Sequence, residues 1–132
     1  MPYDIMLLAD PGPERSRVLE TLGSAPDFTH DERLESRFWM KSSLGDVQIN
    51  IGTKDPVESI HFTFEVNSEA LAEAVTLRAL ELAVTLDMRL EDMQWGYEVG
   101  PSDLPALRVY WKDFFSRPPI EPPVKKPWWK VW

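Results

Sequence analysis

Cysteine is absent from the 132 residues, histidine occurs only twice, and no apolar run reaches the length of a membrane span. The first absence excludes a disulfide framework, a thiolate nucleophile and a cysteine-based zinc site. The third excludes a spanning helix. The apolar block near the start, Tyr3 to Ala9, is too short for a secretory signal and is flanked by acids. A reducing, cytoplasmic setting is the expectation. Motifs with a built-in mechanism are missing as well: there is no HExxH, no GxSxG, no phosphate-cradling glycine loop and no dinucleotide fingerprint. Asp10-Pro11-Gly12-Pro13 lies between a predicted strand and a predicted helix, but its prolines remove the amide donors that an anion site needs. No cofactor or metal is therefore expected. There is no internal repeat.

What is there is an ordinary globular composition, 43% hydrophobic, enough for one buried core. Acid dominates unevenly. Residues 1 to 111 hold 9 Lys or Arg against 20 Asp or Glu, a balance of −11, whereas residues 112 to 132 hold 5 against 2, a balance of +3. An acidic body repels phosphate backbones and so argues against nucleic acid as a direct ligand. It attracts a basic partner and speeds encounter with it.

The organising stretch is Asn67 to Leu86, rich in Ala and Leu and patterned as a helix capped by Asn67 or Ser68. Leu71, Val75, Leu82 and Leu86 form one apolar stripe. Leu77, Leu80 and Val84 form a second, which is expected to receive something from the C-terminal third. Before it, Tyr3 to Ala9 reads as a central strand and Glu14 to Leu22 as a helix that starts near Pro13 and stops at Gly23, followed by a polar connection from Ser24 to Asp31. Leu34 to Lys41, Asp46 to Ile51 and Glu58 to Val66 alternate as an antiparallel meander with one dry and one wet face. A short strand from Asp87 to Glu91 and a turn at Asp92 to Gly96 follow. A third helix is capped by Ser102 or Asp103, with the stripe Leu104, Leu107, Trp111 and Phe114. The predicted fold is α+β: an antiparallel-rich sheet of four to five strands with helices mainly on one face, a ferredoxin-like plan plus an extra C-terminal helix. Residues 1 to 116 are read as one domain. Residues 117 to 132, with five prolines, are read as an extended tail rich in Pro and Trp.

The wet sheet face is the candidate site. It groups Arg37, Trp39, Lys41, Gln48, Asn50 and His61 with Thr63 and Glu65, above Met6 or Leu8. Aromatic and Arg residues dominate interface energetics, so Trp39 is the expected anchor for a protein partner. Its plainer reading is one aromatic on an amphipathic strand. His61 and Glu65 are about 13 Å apart along a strand, so a chemical role for His61 needs neighbouring strands, such as Asn50 or Glu35. Trp95 and Tyr97, near Asp92 and Glu98, form a second patch in which Trp95 is expected to pack on the core. In the tail, Trp128, Trp129 and Trp132 with Lys125, Lys126 and Lys130 suit either a docking arm or a strap over the chain's own acidic body, the strap being preferred.

The long Ala-Leu helix running into a segment that ends Asp92-x-Gln94-x-Gly96, followed by a capped acidic helix, resembles small bacterial immunity proteins of the polymorphic-toxin type over roughly residues 60 to 115. That resemblance implies a cytoplasmic, non-enzymatic inhibitor that covers the active surface of a toxin, and the acidic body suits a basic one. It transfers no catalytic residue and does not account for the tail. The alternatives are a small enzyme using His61 with carboxylates from adjacent strands, or an adaptor acting through the tail.

Overall fold

The computed structural model describes residues 2–65 and 68–116. Val66, Asn67 and the whole predicted tail, including Trp128, Trp129 and Trp132, lie outside the described residues. Among the described residues, seven strands and three helices follow in the order β1 (Pro2–Leu8), α1 (Arg15–Ser24), β2 (Phe28–His30), β3 (Arg37–Ser42), β4 (Gly45–Ile51), β5 (Ser59–Glu65), α2 (Glu69–Leu86), β6 (Arg89–Asp92), β7 (Tyr97–Val99) and α3 (Leu104–Ser116). A 3-10 turn at Pro101–Asp103 leads into α3. All seven strands join one antiparallel sheet in the order β2-β3-β4-β5-β1-β6-β7. The class is α+β.

Strict alternation decides which side of the sheet is dry. Tyr3, Ile5 and Leu7 of β1 are buried together with Phe38 and Met40, Val47, Ile49 and Ile51, and Ile60, Phe62 and Phe64 of β3, β4 and β5. These residues form one core with Val18 and Leu22 of α1, Leu71, Val75, Leu82 and Leu86 of α2, and Leu107 and Trp111 of α3. The residues between them in sequence, from Asp4 to Thr63, stay half-buried on the opposite face. Ser68 caps α2 by accepting the Leu71 N–H, and Asp87 ends it in a left-handed conformation, its N–H returning to Ala83 and Val84. Of the two predicted caps, Ser68 is the one used.

Several expectations are corrected. The sheet has seven strands, not four to five. β2 falls in the supposed polar connection, and β7 follows a turn where no strand was expected. Each is three residues long, too short to show a period, and exists only through pairing with β3 or β6. α1 begins at Arg15 with Glu14 at its cap, so Pro13 precedes the helix, and Gly23 lies inside the last turn. Leu34 is exposed in a turn and does not extend β3. The second stripe of α2 is not covered by α3. Arg108 of α3 reaches Glu73 near the start of α2, leaving Leu77 42% and Val84 82% exposed. The predicted stripe of α3 does face inward, with Leu107 and Trp111 buried and Leu104 and Phe114 half-buried.

Candidate functional site

Pairing register lays the predicted residues side by side. One row runs Arg37, Asn50, His61, Met6, Glu91 and Glu98 across six strands. At about 4.8 Å per strand it spans roughly 24 Å. The adjacent row runs Thr29, Trp39, Gln48, Thr63 and Asp4. Lys41 sits at the end of β3 opposite Asp46. The structure therefore brings Arg37, Trp39, Lys41, Gln48, Asn50 and His61 onto one face of three neighbouring strands. The row changes character along its length, from a guanidinium at β3, through amide, imidazole and thioether, to two carboxylates at β6 and β7.

Two acids that the sequence reading did not select organise this face. Asp31, in the connection between β2 and β3, is only 6% exposed. It accepts the Trp39 indole N–H at 3.1 Å and the Arg33 backbone N–H at 2.8 Å, with an Arg37 guanidinium nitrogen at 4.0 Å. The Arg33 N–H, then the Trp39 N–H, hold its carboxyl below the ordinary carboxylate range. Trp39 is thereby fixed in orientation, and Arg37 also donates from Nε to Asn50 Oδ1 at 3.1 Å. The second acid is Asp4 on β1. Its Oδ1 lies 3.0 Å from His61 Nε2 and accepts the Thr63 hydroxyl at 2.9 Å. His61 is thus partnered by Asp4, and neither Asn50 nor Glu35 serves it. Asn50 is its neighbour in register but is committed to Arg37. Among the sequence signals, only the position of Asp4 on the same wet face could have pointed to it.

Behind Asp4 stands a chain of bonds that explains the Asp92-x-Gln94-x-Gly96 pattern. Asp92 Oδ1 accepts the backbone N–H groups of Gln94 and Trp95 at 3.0 and 2.8 Å, and its carbonyl accepts that of Gly96 at 2.7 Å. Gly96 takes a φ of 89°, which suits glycine. The turn so formed presents Gln94, whose Oε1 accepts the Asp4 N–H at 2.8 Å. On the dry side the Tyr3 hydroxyl donates to Asp92 Oδ2 at 2.7 Å and accepts the Trp111 indole N–H at 3.0 Å. Burial raises the Asp92 carboxyl above its ordinary range, and burial with the Asp92 charge raises the Tyr3 hydroxyl. α3, the β6–β7 turn and the wet face are therefore mechanically joined. Trp95 packs partly against the core, as expected, with Tyr97 edge-on at 5.0 Å and 64% exposed.

Chemically, the face offers a guanidinium, an indole, two amides, a hydroxyl and an imidazole held by a carboxylate. Among the described residues no group of three or more His, Asp or Glu is placed to hold a metal, and no helix is long and apolar enough to cross a membrane. Two cavities lie away from these residues: one of 220 Å³ beside Gly52 and Ser59, and one of 440 Å³ between the end of α2 and β6–β7. No protein-family model matches the chain, and no curated protein or solved structure matches it.

Proposed function

We propose that the chain is a non-enzymatic binding protein whose polar sheet face recognises a basic protein, as an immunity protein covers the active surface of its toxin. The observation that carries this reading is the continuous face on which Trp39 and Arg37, pre-ordered by Asp31, stand in register with Gln48, Asn50 and His61. Pre-ordered aromatic and Arg side chains lose little entropy on binding, which is what an interface anchor requires. The acidic body supports a basic partner and disfavours a direct nucleic-acid ligand. For the fold we infer a ferredoxin-like plan. The succession β1, α1, β4, β5, α2, β6 with spatial order β6-β1-β5-β4 supports it, the strands β2 and β3 being an insertion and β7 with α3 an extension. A cytoplasmic location fits the lack of cysteine.

The test uses the tagged chain as bait in its native cells, together with the product of the neighbouring gene. The wild type and a Val109→Ser variant, altered on the helical side, should retain one basic protein. Trp39→Ala should weaken it by about 2 kcal/mol, roughly 30-fold, and cells expressing the captured protein should be protected by the wild type. Unchanged affinity in Trp39→Ala removes the site, and no specific partner removes the reading.

A second reading has one observation in its favour. The carboxylate of Asp4, on the strand next to His61, lies 3.0 Å from the imidazole, with the Thr63 hydroxyl 3.4 Å away, as a small acid–base enzyme would need. Neither cavity described above is lined by His61. A turnover that disappears in His61→Gln would favour this second reading over binding.

A further inference from the structure

The 440 Å³ groove on the helical side is lined by Leu80, Val84, Met88, Leu90, Val99 and Pro101. It is where the second apolar stripe of α2 emerges uncovered. Val84, a β-branched aliphatic in the last turn of α2, is 82% exposed there. Asp87 stands at the groove with no cation paired to it among the described residues, whereas Arg89 of the lining is paired with Glu91, and Glu98 lies opposite Glu91 on the sheet face. An apolar channel of this size with a few charged groups at its margin is built to take side chains, and an aliphatic row of this kind is normally covered by protein.

We propose that the occupant is the chain's own segment 117–132, with the Trp128-Trp129 pair in the groove and Lys125, Lys126 and Lys130 drawn to Asp87 and the acidic body around it. Three observations favour this occupant over others. The first is charge: the segment carries Arg117 and three lysines against Glu121, a balance of +3, while residues 1 to 116 carry −11. The second is composition. Three tryptophans in five residues supply the large apolar surface that the groove lacks. The third is reach. The 3-10 turn that leads into α3 starts beside the groove, at Pro101, and the 13 residues of α3 carry the chain about 20 Å further, to Ser116. The eleven residues 117 to 127, extended, reach about 35 Å, enough to return. A strap in this place lies on the helical side and leaves the sheet face of Arg37 and Trp39 free for a partner. On the sheet face it would compete with that partner.

The absence of cysteine makes the test clean, because one introduced cysteine carries one spin label. The full chain, labelled with nitrogen-15, shows its six tryptophan indole N–H signals, assigned by single Trp→Phe substitutions. With the label at Val84→Cys, the indoles of Trp128 and Trp129 should lose most of their intensity in the paramagnetic state. With the label at Gln48→Cys on the sheet face they should keep it, while the Trp39 indole is lost. Reversing Lys125, Lys126 and Lys130 to Glu should restore the signals in the Val84→Cys chain several-fold. Loss from Gln48→Cys instead places the segment on the sheet face. Loss seen only between mixed labelled and unlabelled chains makes the occupant a second copy. No loss from Val84→Cys leaves the groove without it. Each of these three outcomes overturns the proposal.

Discussion

Thr76 and Asp92 show how single buried polar atoms set stability here. Thr76 faces the core from α2 at 1% exposure, and its hydroxyl has no hydrogen-bond partner among the described residues. Thr76→Val keeps the shape and removes a desolvated hydroxyl, so unfolding should become harder by about 1 kcal/mol, read as a higher urea midpoint at constant slope. Asp92 is also buried, but fully used. Because burial raises its folded-state pKa, its contribution is complete below the unfolded carboxylate value of about 3.9 and is lost as pH rises through the raised folded value. The wild type should therefore lose stability relative to Asp92→Asn as pH is taken from about 4 towards neutrality. A difference between the two that is flat with pH would show that Asp92 is not held above its ordinary range. Asp27 and Glu73, held low by Arg78 and Arg108, act with the opposite sign: their contributions are present above the unfolded value and are lost as pH falls below it.

Individual elements depend on short local devices. The Ser68 hydroxyl takes the Leu71 N–H at the start of α2, and Ser68→Ala should cost about 1 kcal/mol in chemical denaturation. At the other end of the sheet, Gly12 packs its α-carbon against the loop before β5, where a Cβ would fall 1.5 Å from the Val57 carbonyl oxygen. The same loops are joined by the Val57 N–H to the Pro13 carbonyl at 2.8 Å, and by Arg15 to Asp55 and Gly52. Gly12→Ala must push these backbones apart, and should destabilise by about 2 kcal/mol or more and speed hydrogen exchange at Val57 and Arg15. α2 shows how a pattern can be read correctly and still mislead. Its second stripe is real, yet α3 lies over the earlier turns, because Arg108 meets Glu73 and Trp111 meets Tyr3.

At the scale of the whole molecule, the proposed function has the acidic body and the graded face act together on a partner. A basic partner steered by the chain's net charge of −8 should associate more slowly as salt is raised from about 50 to 200 mM, with its dissociation rate little changed. Salt-independent association in stopped-flow measurements would remove electrostatic steering from the account. The Arg37-to-Glu98 row also gives such a partner a direction, since its cations would sit towards β6 and β7 and its acids towards β3.

The sequence by itself determined which residues share a face. Side chains in a strand alternate with period two, which by itself puts Arg37 with Trp39, and Gln48 with Asn50, on the polar side of their strands and His61 on that of its own, and the stripe of α3 follows in the same way from its 3.6-residue period. Tertiary structure decided which of them touch. His61 and Asp4 are 57 residues apart, and Trp111 and Tyr3 are 108 apart, so no local pattern links them. The same holds for β2 and β7, which gain their conformation only from a neighbour's ladder, and for Asp31, which reaches Trp39 only once β2 and β3 have paired. Period is a property of a few consecutive backbones, whereas strand order and helix placement are chosen by the packing of the whole core.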